Sequence, residues 1–132
     1  MLTAEIIFGI ESESFCEFSD AWSFEMVKAH LNSKNSVTLI KTINGVPAGY
    51  VTGVKLENES ELYRIAVLPK YRGQGLAKEL IARFIETCDN KVFLEVRAKN
   101  TAAIRLYESA GFAETGRRIN YYGDDDAVVY SL

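Results

Sequence analysis

At 132 residues the chain suffices for one domain with a substantial core and is too short for a second, so a single domain over 1–132 is expected. Its composition, 48% hydrophobic and 25% charged, is that of a folded globular protein and excludes a disordered one. A net charge of −3 with no basic run beyond Arg117-Arg118 argues against nucleic acid as a partner, and no apolar run approaches the roughly 20 residues that cross a membrane.

The segment Thr3 to Ile10 reads as a first strand. The amino-terminal stretch shows neither a basic region nor a small-residue cleavage site, so no export is expected and the location is cytoplasmic. Cys16 and Cys88, far apart and without a CxxC pair, read as reduced thiols of such a protein. Two short helices follow the strand, the second beginning at Ser23, a good N-cap, and running to about Asn32. It carries the sole histidine, His30, which is too isolated for a Cys–His enzyme; ligands are too few for zinc, and no metal is expected.

Ser36 to Ile43 and Pro47 to Val54 are strands joined through Asn44-Gly45, a strong hairpin signal. Glu57 to Glu61 reads as a polar turn, and Leu62 to Val67 as the next strand. Leu76, Leu80, Ile81, Phe84, Ile85 and Cys88 recur at helical spacing, which predicts an amphipathic helix from Gly75 to about Cys88. Val92 to Val96 is a strand. Asn100 caps a further helix with Ala103, Leu106, Tyr107 and Ala110 on its inner stripe, and Gly111 ends it in the left-handed C′ position. Phe112 to Ile119 and Ala127 to Leu132 form a final antiparallel pair. The strand–helix–strand crossover between Leu62 and Val96 requires a parallel pair, so the fold class is mixed α/β, a mostly antiparallel sheet with one parallel pair and about four helices.

The strand at Leu62 opens onto a glycine-punctuated loop, Leu68-Pro-Lys-Tyr-Arg-Gly-Gln-Gly75, that runs straight into a helix. Gly73 and Gly75 present no side chain to an incoming anion. The amides from Gly73 to Ala77 are then the unpaired donors of a helix N-terminus, where the helix dipole favours negative charge, and Arg72 adds a bidentate cation. A phosphate or pyrophosphate fits. A P-loop does not, because Lys78 is followed by Glu79 and not by a hydroxyl. A dinucleotide fingerprint does not either, because Lys78 stands where its third glycine belongs and Pro69-Lys70 separate strand from loop.

The pattern Arg-x-x-Gly-x-Ala formed by Arg72, Gly75 and Ala77 resembles the pyrophosphate loop of the GCN5-related N-acetyltransferases, and the order of elements resembles that fold along essentially the whole chain. The resemblance implies acetyl-coenzyme A as cosubstrate, with no metal. Arg72, Gly73, Gln74, Gly75, Leu76, Ala77 and Lys78 would hold its pyrophosphate, and the backbone of Ile65, Ala66 and Val67 would pair with the pantetheine arm as an added strand does.

Acetyl transfer to an amine needs a group to deprotonate the amine and a group to protonate the departing thiolate. Glu95 lies in the apolar strand VFLEV. Taken alone it faces water, pairs with Arg97 two positions on, or acts as a base. Tyr107 alone is a packed ring with a locally bonded hydroxyl or an acid. The segment FLEVRAKNTAAIRLYESAGF, the terminal RRINYY with Asp126-Ala127, and the pair Trp22-Ser23 narrow the choice. Together they resemble the branch of that family that acetylates the N-terminal alanine of a ribosomal protein. That resemblance makes Glu95 the base, Tyr107 the acid and Asn100 a ligand of the pantetheine arm. It places Arg97, Asn120, Tyr121 and Tyr122 on the acceptor side.

The implied activity is N-alpha-acetylation of a protein N-terminus, that of a small-subunit ribosomal protein. Acetylation of a small-molecule amine and a non-catalytic acyl-coenzyme A-binding module are the alternatives. The acidic run Asp124 to Asp126 is either a solvated turn or the partner of a basic residue at the second position of the acceptor. The loop Gly123 to Asp125 is shorter than the branch's pattern, and the proline usual before Trp22 is absent.

Overall fold

A computed structural model describes residues 3–14 and 22–132. Its elements in chain order are α1 (Thr3–Ser14), α2 (Phe24–Leu31), β1 (Ser36–Ile43), β2 (Val46–Lys55), β3 (Glu59–Val67), α3 (Leu76–Cys88), β4 (Lys91–Arg97), α4 (Thr101–Ser109), β5 (Ala113–Arg118) and β6 (Ala127–Ser131). The strands form one mixed sheet in the order β1-β2-β3-β4-β6-β5. Every neighbouring pair is antiparallel except β3 and β4.

The expected first strand is a helix. Ile7, Ile10 and Glu11 are its buried positions, three and four residues apart, which is one face of a helix and not of a strand. The short helix expected between that segment and Ser23, together with Cys16, falls largely outside the described residues. β3 starts at Glu59, inside the stretch expected to be a polar turn. The Ser60 side chain is fully buried and its hydroxyl donates to Asn90 Oδ1 at 2.7 Å, so a polar residue there serves the sheet.

Local chemistry accounts for the remaining boundaries. Ser23 caps α2 by accepting from Met26 N, and Asn100 caps α4 by accepting from Ala103 N. Asn44 and Gly45 both have positive φ, 52° and 79°, the signature of the type I′ turn that suits strand twist. α3 buries Leu76, Leu80, Ile81, Phe84 and Cys88 against one face of the sheet. Each such side chain stabilises the fold by about 1.5–3 kcal/mol. α4 adds Tyr107 to the same core, with Ala103, Leu106 and Ala110 partly buried beside it. α1 and α2 cover the other face through Ile7, Ile10 and Val27 over Tyr50. Among the described residues no helix is long and apolar enough to cross a membrane.

Candidate active site

Two irregularities in the sheet open the site. Parallel pairing of β3 with β4 runs only from Glu59 opposite Lys91 to Glu61 opposite Phe93. Beyond that point both strands continue, to Val67 and Arg97, without pairing to each other, so the sheet splays into a cleft. The second irregularity is a bulge. Thr52 pairs with Arg64 but the next residue, Gly53, pairs with Leu62, which leaves Tyr63 as an extra residue in β3. The bulge reverses the alternation. Leu62 before it and Ile65 and Val67 after it face the α3 core, whereas Arg64 and Ala66 turn to the α1 side. Gly53 permits it, since a Cβ there would lie 2.0 Å from the Glu61 carbonyl oxygen.

The cleft has a volume of about 500 Å³ and draws its walls from both faces of the sheet. Ile65, Ala66, Val67, Arg72, Ala77, Glu95, Arg97, Asn100, Tyr107 and Tyr122 all line it, so most of the sequence-predicted site is brought together. At its outer end, Gly73 and Gly75 have φ of 80° and 79°, and a Cβ on either would meet no protein atom. The two glycines are therefore required by backbone conformation, and the space over them is open. Gly75 is the N-cap of α3 without a side-chain cap. The first amide bonded along the helix is that of Glu79, to Gly75 O at 3.1 Å, which leaves the preceding turn's N–H groups as anion donors. Arg72 Nε donates to Val67 O at 3.1 Å, which holds the guanidinium at the mouth. Gln74 and Lys78 are exposed on the rim, outside the cleft's lining, and Leu76 sends its side chain into the core and offers only its backbone. The loop and the splayed strands suit a molecule with a pyrophosphate at one end and an extended arm.

Tyr107 stands at the inner end, 7% exposed, its ring edge-on to Phe112 with centroids 6.0 Å apart. No side-chain polar atom among the described residues is both buried and unpartnered, so the Tyr107 hydroxyl opens on the cleft. Burial pushes this phenol up to about 12, with the Arg64 cation pulling the other way. It stays protonated at any working pH.

Glu95 occupies the β4 face opposite Leu94 and lines both this cleft and a neighbouring cavity of about 340 Å³. Its ion-pair partner is Arg118 of β5, with Nη2 to Oε1 at 3.1 Å, and not Arg97. Arg97 instead lies 4.0 Å from the Tyr122 ring centroid and 3.4 Å from Asp124. The neighbouring cavity is walled by Trp22, Tyr63, Tyr121 and Tyr122. Tyr121 and Tyr122 meet edge to face at 5.0 Å. Asn120 lines neither cavity; it takes a left-handed turn conformation and its N–H donates to Asp126 Oδ1 at 2.9 Å.

The acidic run is committed to the protein. Asp125 is buried and accepts from Lys99 N, Asp126 pairs with Arg117 at 3.3 Å, and only Asp124 is well exposed. Asp125 and Asp126 are thus tied into the protein, and Asp124 alone keeps the solvated character expected of the run.

Sequence reading missed a buried network between the two cavities. Glu11, 5% exposed, binds Arg64 through both oxygens at 2.8 Å and accepts from the Tyr50 hydroxyl at 2.5 Å. Burial opposes ionisation of Glu11, but the hydrogen bonds from Arg64 and Tyr50 and the Arg64 charge outweigh it and hold the carboxyl below the usual range. The Arg64 guanidinium lies 5.0 Å from the Trp22 ring, which stacks on His30 at 5.3 Å. His30, depressed by burial, bonds Thr52 Oγ1 at 2.8 Å and also backs Tyr63. The only sequence signal for this network is a charged residue, Arg64, inside the apolar strand LYRIAV.

A sheet splayed beside a glycine loop, with a carboxylate and a phenol lining the same cleft, suits acyl transfer from a pyrophosphate-bearing carrier. The Acetyltransferase (GNAT) family profile matches residues 7–112, and the chain belongs to that family. It is an acetyl-coenzyme A-dependent N-acetyltransferase. It is 40% identical over 99 residues, 69% of this chain and 67% of the relative, to the [ribosomal protein bS18]-alanine N-acetyltransferase of Escherichia coli K12. It is 37% identical over 75 residues to the N-alpha-acetyltransferase RimI of Mycobacterium tuberculosis, covering 56% of this chain and 48% of that one. The crystal structure of the ribosomal-protein-S18-alanine N-acetyltransferase from Escherichia coli superposes with a TM-score of 0.87 at 32% identity, covering all of this chain and 89% of the other.

Proposed function

We propose that the chain transfers the acetyl group of acetyl-coenzyme A to the α-amine of a protein N-terminus, that of the small-subunit ribosomal protein bS18, at alanine. The observation that carries this reading is the likeness to enzymes of that name, with 40% identity over most of the chain. The aromatic cavity that meets the cleft at Glu95 supports it, because it suits the end of a peptide. Such an acceptor places the enzyme in the cytoplasm.

In this reading Arg72 and the amides from Gly73 to Lys78 hold the pyrophosphate, while the edge of Ile65 to Val67 that β4 leaves unpaired and the Asn100 side chain hold the arm. Glu95 takes a proton from the α-ammonium, whose pKa near ~8 leaves roughly a tenth neutral at pH 7, so a carboxylate suffices as base. The amine nitrogen bonds to the thioester carbon and gives up its second proton as the amide forms, the carbon–sulfur bond breaks, and the sulfur takes a proton from Tyr107, which the proton shed by the nitrogen restores through solvent. A lysine ε-amine, with pKa ~10.4, costs about 3 kcal/mol more to deprotonate at neutral pH, which favours the α-amine.

Mass spectrometry of a peptide panel incubated with acetyl-coenzyme A tests this. A bS18 N-terminal peptide should gain one acetyl group at its first residue. Labelling of internal lysines to the same extent, or a preference for free polyamines, would move the activity to small-molecule amines.

A further inference from the structure

The acceptor cavity contains a second carboxylate, Glu61, to which acetyl transfer assigns no task. Glu61 closes the short parallel pairing, opposite Phe93, and Glu95 stands two residues further along the same strand. Both point away from the α3 core, since Leu62 and Leu94 occupy it, so the two carboxylates share one face and line one cavity with Trp22, Tyr63 and Tyr121. The free protein places a guanidinium at this spot: Arg118 contacts Glu95 at 3.1 Å and is 57% exposed, held from outside by the Tyr121 ring at 5.2 Å. A monocation therefore fits beside Glu95, and the one present is on a solvated tether that an incoming cation can displace. We propose that Glu61 selects acceptors by charge, binding the α-ammonium in the seat that Arg118 fills in the free enzyme and leaving Glu95 to take the proton.

The surrounding charges agree. Burial, then the charge of Glu95, and lastly that of Glu59 raise the Glu61 carboxyl, and Arg118 is the group that lowers it. Two carboxylates in one half-buried cavity repel until a cation joins them, and the aromatic side chains that line the cavity favour a cation further. A neutral acceptor of the same shape relieves nothing. The proposal rests on Glu95 being the base, but it makes a claim about binding that activity does not supply.

Trp22, the sole tryptophan, lines the cavity and serves as reporter. Its fluorescence is titrated, with coenzyme A present, against alaninamide, which carries an α-ammonium, and N-acetylalaninamide, which does not. Wild type should bind alaninamide about tenfold more tightly; Glu61→Gln should lose that preference and Glu61→Asp keep most of it. With a peptide acceptor, Glu61→Gln should raise KM about tenfold and leave kcat within about twofold, and acetyl-coenzyme A affinity should not change. An undiminished preference in Glu61→Gln overturns the role of Glu61 and leaves the α-amine reading intact. No preference in wild type overturns the charge selection and leaves the α-amine reading to the peptide panel.

Discussion

Removing the carboxylate of Glu11 tests how the cleft is held open. In Glu11→Gln the Arg64 guanidinium, 18% exposed, loses a bidentate partner that is itself 5% exposed. Breaking a buried pair from one side costs about 3–5 kcal/mol, and the partial access of Arg64 to the cleft favours the lower end. For a domain of this size about 3 kcal/mol is a fall in Tm of roughly 10 °C. The pH dependence has a defined sign. The folded carboxyl lies below its ordinary value of 4.5, so its stabilisation is present above that pH and is lost as pH falls through the folded value. The gap between wild type and Glu11→Gln should therefore narrow only below about pH 4.5. Urea unfolding followed by circular dichroism reads both effects. Replacing the network together, Glu11→Leu and Arg64→Met with Tyr50→Phe, should recover stability to within about 1 kcal/mol of wild type, since it strands neither a charge nor the buried Tyr50 hydroxyl. A single variant costing under about 1 kcal/mol, or a triple variant as unstable as the single, would refute the reasoning.

Glu95→Gln should cut kcat by about 10²–10⁴ and leave the thermal shift given by acetyl-coenzyme A unchanged, and the loss should shrink as pH rises and the amine deprotonates itself. A pH–rate series on both proteins checks this. Tyr107→Phe should slow turnover with little change in unfolding temperature, because the ring that packs on Phe112 is kept. As burial holds that phenol near 12, the wild-type rate should show no fall attributable to it up to about pH 10. Gly75→Glu forces a β-carbon onto a φ of 79° and puts a carboxylate among the phosphate donors; differential scanning fluorimetry should show the acetyl-coenzyme A shift abolished.

What the sequence made legible is local. Asn44-Gly45, Ser23, Asn100 and the helical stripe from Leu76 to Cys88 each act through neighbours a few residues away, and each does in the structure what its pattern implies. Glu95, Tyr107 and Arg72, singled out through contiguous motifs, all line the cleft. The misses share the opposite property. Ile6-Ile7-Phe8 reads as a strand until Glu11 is seen to need Arg64, fifty-three positions away, and a buried carboxylate four residues beyond Ile7, beside Ile10, only then completes a helical face. Asp124 to Asp126 look free until Arg97, Lys99 and Arg117 are brought beside them.

The Tyr63 bulge shows why those long-range features belong to function. An unbroken β3 would keep Glu61, Tyr63, Ile65 and Val67 on one face. With one extra residue, Ile65 and Val67 turn to the α3 core, while Arg64 joins Glu61 on the α1 side and meets Glu11. Two residues before the bulge the pairing of β3 with β4 ends at Glu61, and beyond it the strand's edge is not paired with β4. Glu11 of α1 supplies the charge that neutralises Arg64 there. The helical start of the chain, the bulge and the cleft are connected: the ion pair Glu11–Arg64 ties α1 to the segment that the bulge redirects, and Glu95 and Tyr107 both line the cleft beside it.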